Sequence, residues 1–323
     1  MKVHILDDWF DTLRGLPCFD RLAGHDVTVW TDHMADRATL AARLAEAEAL
    51  VLFRERTAID RELLARMPKL RLISQRSTYP HIDVPGCTAH GVLLCSKMKG
   101  GGGPNYAAVE LTLALMLASA RDLPAQVASL RAGQWQAGVG RTLRGCRLGL
   151  LGYGRIARAV AASAEALGMT VQWWASEGSR DRARADGAQV ASSRAEFFAS
   201  SDVVSLHQRL TPETRGGVSA ADLAAMAPGS LLVNTARAGL IAPGALEAEI
   251  ARGRIRAAVD VFDTEPLTDP SHPLLTHPNV IATPHIGFVT EEEYALQFAD
   301  IFDQVAAFAA GAPIHMINPE VWG

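Results

Sequence analysis

The residues with the clearest chemical potential lie in the second half of the chain. An apolar run at 148–151 leads straight into Gly152-Tyr153-Gly154-Arg155-Ile156-Ala157, and a helical pattern follows. In that setting Gly152 makes a tight turn, Gly154 lets backbone approach an anion, and the N–H groups of Arg155 and Ile156 open a helix toward it. This is the fingerprint of a dinucleotide pyrophosphate, with Ala157 a permitted third position. Further on, three residues each fall just past a short apolar run: Arg237, Glu265 and His285. Their spacing matches successive strand–connection–strand units, so all three can meet at one sheet edge. A planar guanidinium holds a carboxylate with two hydrogen bonds and polarises the adjacent carbonyl. A histidine supplies the proton as that carbonyl becomes an alcohol, and a carboxylate steadies the charged ring. Behind a dinucleotide fingerprint, the set describes hydride transfer to a 2-oxo acid.

About 20 residues beyond such a fingerprint, a second strand ordinarily ends in Asp or Glu, which grips the adenine ribose of NAD. Here the run 171–174 ends in Ala175-Ser176-Glu177, with Arg180, Arg182 and Arg184 following. Without an acid at 175 a 2′-phosphate is not repelled, and nearby arginines can pair with it. NADP therefore stands level with NAD, with a slight lean to NADPH. Two other readings stay open: Glu177 supplies the displaced acid, or the arginines form a solvated helix face.

These residues need a scaffold of parallel strands. Short apolar runs at 3–6, 27–30, 50–53, 70–74 and 92–95 read as strands, and helical i, i+4 spacing falls between them at 40–44 and 59–67. Asp60 is a candidate cap and Pro68 a stop. Lys99 and Pro104 bracket four glycines at 100–103, which read as a loop and candidate hinge. After the apolar helix expected at 106–120, alternation resumes with strands at 147–151, 170–174, 203–206, 231–234, 256–260 and 280–282. The intervening helices are expected at 155–167, 220–226 and 244–252, with a final one at about 291–310. Alternation of this kind predicts an α/β fold of two doubly wound parallel sheets, with ligands at the carboxyl ends of the strands.

Composition excludes several classes. The chain has 323 residues, 49% hydrophobic and 20% charged, which argues for two globular domains and against disorder, collagen-like repeats or a coiled coil. A net charge of −4 gives no sign of a nucleic-acid partner. The apolar run at 106–120 contains Glu110 and is shorter than the ~20 residues of a membrane span. The N-terminal residues meet Asp7 and Asp8 too early for a signal peptide. Cys18, Cys87, Cys95 and Cys146 lack metal-site or disulfide spacing, so no metal and a reducing cytoplasm are expected.

Taken together, the ordered motifs resemble the D-isomer-specific 2-hydroxyacid dehydrogenases. The resemblance runs from His81-Ile82-Asp83 through Gly152–Ala157, Thr211-Pro212-Glu213-Thr214-Arg215, Asn234-Thr235-Ala236-Arg237 and Asp260–Pro266 to Pro284-His285. It implies two Rossmann-like domains: a flavodoxin-like substrate domain from residues 1–100 plus 288–323, and an NAD(P)-binding Rossmann domain from 101–287. It also implies a homodimer and a hinged cleft. Arg237 would bind and polarise the substrate, His285 would be the general acid/base, and Glu265 its partner. Thr235, Ala236 and Asp260 would hold the nicotinamide, with Gly287 nearby and Ser176 toward the ribose. Backbone N–H groups at Ser77-Thr78-Tyr79 would bind the substrate carboxylate. Two positions depart from the family pattern: Thr78 stands where many members have Gly, and Arg209 replaces the usual Pro. Gln75-Arg76 beside the loop offers a charge for a second acidic group, against a plain structural role.

The resulting expectation is an NAD(P)-dependent enzyme interconverting a small 2-oxo acid and its D-2-hydroxy acid, of the glyoxylate, hydroxypyruvate or keto-acid reductase type. Formate or phosphite oxidation is a relative within the family, but formate enzymes pair the histidine with Gln, and Glu265 argues against it. A dinucleotide-sensing corepressor on the same fold is the alternative from another class.

Overall fold

Among the described residues the strands pair in parallel sheets, and most of their residues are buried because helices cover both faces; the edge strands Asp26–Val29 and Val280–Ala282 are the exceptions. The structure is a computed structural model that describes residues 1–98 and 105–323. The glycine run at 100–103, expected as a loop and hinge, lies outside the described residues. Two units divide the chain: Met1–Gly102 with Thr290–Gly323, and Gly103–Val289.

In the first unit, β1 (Lys2–Ile5), β2 (Asp26–Val29), β3 (Ala49–Val51), β4 (Leu72–Arg76) and β5 (Leu93–Lys97) pair in the order β2-β1-β3-β4-β5. This is the flavodoxin-like order. Helices α1 (Arg37–Leu44), α2 (Arg61–Leu64) and α3 (Val84–Ala89) begin where Asp36, Asp60 and Asp83 accept hydrogen bonds from backbone N–H groups of their first turns. The C-terminal helix, Glu291–Ala309, belongs to this unit. Its Gln304 donates to the Ser74 hydroxyl and the Gln75 carbonyl, and its Asp300 pairs with Arg76 at 2.7 Å and Lys97 at 2.8 Å. Arg76 is therefore half-buried and committed to this helix, which is the structural role.

The second unit opens with the helices α4 (Tyr106–Ala120) and α5 (Leu123–Arg131). Its sheet comprises β6 (Arg147–Leu151), β7 (Thr170–Trp174), β8 (Val203–Leu206), β9 (Leu231–Asn234), β10 (Arg256–Val259) and β11 (Val280–Ala282), in the order β11-β10-β9-β8-β6-β7. Beyond β7, Val190 makes a single parallel bridge to Trp173, and residues 189–191 exchange backbone hydrogen bonds with it. Counting that bridge as a vestigial third strand gives the Rossmann order, with the reversal between β6 and β8. Helices α6 (Arg155–Ala166), α7 (Glu177–Ala185), α8 (Arg194–Ser200), α9 (Ala220–Ala225), α10 (Ala245–Ala251) and α11 (Pro273–Thr276) complete the unit. Neither α7 nor α8 is apparent from the sequence pattern: α7 buries only Ala183 among largely charged residues, and α8 buries the adjacent pair Phe197 and Phe198. Those two rings lie edge to face, 5.2 Å apart, and each contributes about 2–3 kcal/mol by burial.

Candidate active site

The Gly152 turn sits between two strand ends. Its N–H donates to the Trp174 carbonyl at 2.8 Å, its φ is +115°, and a Cβ there would fall 2.5 Å from the His207 carbonyl oxygen. Only glycine satisfies both the backbone and the space. Gly154, by contrast, has nothing among the described residues within 4 Å of where a Cβ would stand, and none of their side chains caps α6, which begins there. An open cradle before an uncapped helix N-terminus fits a dinucleotide pyrophosphate. At the end of β7, Ala175 is buried and Ser176 is the exposed N-cap of α7. The three arginines divide: Arg182 turns to Ser179 at 2.7 Å and Arg184 to Asp181 at 2.8 Å, while Arg180 lies 4.2 Å over the Trp174 ring with Nη1 on the Ala175 carbonyl. Two of the three thus serve the surface of α7, and one serves the strand end.

Arg237, Glu265 and His285 follow β9, β10 and β11, three neighbours at one sheet edge. The turn after β9 is tied by buried Asn234, whose side chain accepts from Ala236 N (3.1 Å) and donates to the Arg237 carbonyl (3.0 Å). Thr112 of α4 spends its single hydroxyl proton on the Ala108 carbonyl, so Thr235 is the donor in their 2.8 Å contact.

The histidine loop is held by one carboxylate. Asp260 accepts from the Thr283 hydroxyl (2.6 Å) and Ile286 N (2.9 Å) on Oδ1, and from Gly287 N (2.9 Å) on Oδ2. Between these anchors His285 adopts φ +53°, a left-handed conformation that costs a non-glycine residue about 1–2 kcal/mol and must be imposed by its surroundings. Burial pushes the Asp260 carboxyl up, while its three donors and the neighbouring His285 favour the charged form. The Asp260 and Gly287 groups expected near the nicotinamide are thus also engaged with each other.

His285 Nδ1 lies 2.5 Å from Glu265 Oε2, and Phe262 N donates to Glu265 Oε1 at 2.9 Å. A carboxylate only accepts, so Nδ1 carries the proton and Nε2 is the ring atom left for other chemistry. The Phe288 ring stands edge-on to the imidazole at 5.6 Å. Sequence reasoning passed over Thr112, Phe262 and Thr283; nothing in residue type signals them, because the two threonines act through tertiary contacts and Phe262 through its backbone N–H.

Ser77 and Thr78 belong to the first unit, at the carboxyl end of β4. Ser77 has φ +76°, and its N–H already donates to the Lys97 carbonyl at 3.2 Å. Among the described residues the N–H groups of exposed Thr78 and of Tyr79 have no acceptor, so they, rather than Ser77, are the donors the loop offers.

A parallel sheet with a glycine turn at its reversal point and an imidazole–carboxylate pair at its edge defines a dinucleotide-binding α/β protein. Residues 113–287 match the family model described as D-isomer specific 2-hydroxyacid dehydrogenase, NAD binding domain. The chain belongs to that family. It is 37% identical over 286 residues to a D-3-phosphoglycerate dehydrogenase of Mycobacterium tuberculosis, covering 87% of this chain and 53% of that one. The chain thus spans about half the length of such relatives. It is 34% identical to a glyoxylate reductase of Aeropyrum pernix, covering 92% of this chain and 91% of that one. A solved structure of a phosphoglycerate oxidoreductase from Vibrio cholerae aligns with a TM-score of 0.92 and 45% identity, covering 97% of this chain and all of that one. No helix among the described residues is long and apolar enough to cross a membrane.

Proposed function

We propose that the protein is an NAD(P)-dependent oxidoreductase that interconverts a small 2-oxo acid and its D-2-hydroxy acid. The observation that carries this reading is the His285–Glu265 pair, set one and two strands from Arg237 at the edge that bears the Gly152 turn. Arg237 binds the substrate carboxylate and polarises its carbonyl. His285 Nε2 gives its proton to the carbonyl oxygen, and Glu265 holds Nδ1–H and balances the ring's charge. Gly152, Gly154, Arg155 and Ile156 receive the pyrophosphate, Ser176 the ribose, and Thr235, Ala236, Asp260 and Gly287 the nicotinamide end. When bound, the reduced nicotinamide supplies the hydride.

Glyoxylate heads the candidate substrates, because the glyoxylate reductase relative is matched over nearly its whole length. The absence of an acid at Ala175 favours NADPH. A homodimer is supported by α5, which buries none of its residues and exposes Leu123, Val127 and Leu130, with Trp135 and Val139 exposed just beyond. Four free cysteines suit a reducing cytoplasm. The test is initial rates with NADH and NADPH against glyoxylate, hydroxypyruvate, phenylpyruvate and 2-ketogluconate; no turnover of any 2-oxo acid with either nucleotide overturns the proposal.

A further inference from the structure

The Gly152 turn brings two strand ends together. On one side its N–H meets the Trp174 carbonyl; on the other, a Cβ would meet the His207 carbonyl and, at 3.2 Å, the Gln208 side chain. The segments leaving β7 and β8 therefore flank the same crevice, which is where the strand order reverses. The β7 side carries Arg180, fixed over Trp174 with its Nε buried and without a hydrogen-bond partner among the described residues. The β8 side carries Arg209. Its main chain is braced, since the Thr214 hydroxyl donates to the Arg209 carbonyl at 2.6 Å and accepts from Thr211 N at 2.8 Å. Its side chain is exposed, and the guanidinium makes no ion pair or hydrogen bond with the described residues. An arginine on a fixed base with an uncommitted head is built to meet something outside the chain.

We propose that Arg209 and Arg180 are the two jaws of a site for the 2′-phosphate of a phosphorylated adenine dinucleotide, with Arg209 the residue that sets the preference. The inference rests on the dinucleotide reading of the Gly152 turn. A phosphate monoester offers three oxygens to planar donors, which suits guanidinium better than ammonium. Asp181 is occupied by Arg184 and Asp186 by the Tyr153 hydroxyl, so Glu177 is the acid left beside Ser176. Two guanidinium groups against one carboxylate leave the crevice net positive.

The test separates the phosphate from the rest of the cofactor. Adenosine 2′,5′-bisphosphate and 5′-AMP are titrated by calorimetry into the wild-type protein and into Arg209→Ala, Arg209→Lys and Arg180→Ala. The wild type binds the bisphosphate about tenfold tighter than 5′-AMP; Arg209→Ala removes most of that ratio and Arg209→Lys restores part of it. A ratio unchanged in Arg209→Ala but lost in Arg180→Ala overturns the role of Arg209 while leaving a 2′-phosphate site. Parallel weakening of both nucleotides in Arg209→Ala also overturns it, because the side chain then packs on the base. A wild-type ratio near one, with both nucleotides bound, overturns the phosphate site and leaves the dinucleotide reading standing. Failure to bind either nucleotide, or NADH, overturns that reading itself.

Discussion

The imidazole of His285 and the carboxylate of Glu265 meet at 2.5 Å, Nδ1 to Oε2, while the second carboxylate oxygen is held by Phe262 N. The contact fixes both the tautomer and the direction of the ring. Glu265→Gln keeps the shape and an acceptor but removes the charge that balances a protonated ring. It is expected to lower kcat by roughly 10²-fold with a smaller effect on KM. Steady-state kinetics with the best 2-oxo acid check this; an unaltered kcat would show that the charge is not used.

Asp260 positions that histidine without sharing its chemistry. Asp260→Asn leaves one oxygen where two now accept, so at least one of Ile286 N, Gly287 N and the Thr283 hydroxyl loses its partner. The expected cost is about 1–3 kcal/mol of stability, with a fall in kcat because the strained φ at His285 is no longer imposed. Thr283→Val, which removes one of the three bonds, should lie between the variant and the wild type in both denaturant midpoint and kcat.

The two fingerprint glycines should fail in different ways. Gly152→Ala places a methyl group against the His207 carbonyl at a φ of +115°, so the folded state itself suffers and the thermal midpoint drops. Gly154→Ala meets nothing within 4 Å, so the midpoint holds while the methyl group occupies the space needed by the pyrophosphate. Thermal melts paired with NADH titrations separate the two; equal stability loss in both variants would contradict this assignment.

Burial holds His207 neutral, lowering it from the ordinary 6.5 to about 4. Between those values the unfolded chain binds a proton that the folded chain refuses, so stability is fully present above pH 6.5 and is lost as pH falls toward 4. The loss amounts to roughly 3 kcal/mol. Urea titrations across that range should show the slope flattened in His207→Asn, which lacks the titrating ring; His4, His25 and His81, lowered in the same direction, contribute to the slope that remains. The same slope in both proteins would remove His207 as its source.

The sheets were legible because parallel strands buried on both faces read as short apolar runs, such as Val203–Leu206 and Leu231–Asn234. Helix α7 was not, since a helix that buries one alanine leaves no apolar stripe, and the strand at 189–191 is a single bridge. Arg237, Glu265 and His285 stood out by type and position. What holds them did not: the Asn234 tie depends on the turn's conformation, and the Thr112–Thr235 contact joins residues from α4 and the end of β9. Arg76 has two readings from sequence because the partner that decides for the structural one, Asp300, is more than 200 residues away.

The central claim is that His285 delivers the proton in reduction of a 2-oxo acid. Its most direct test compares wild type and His285→Ala in NADPH and NADH oxidation with glyoxylate, hydroxypyruvate, phenylpyruvate and 2-ketogluconate, alongside nucleotide affinity. The account predicts turnover of at least one acid by the wild type and a loss of about 10²–10⁴-fold in the variant, with nucleotide affinity retained. An unchanged reduction rate in His285→Ala would contradict it.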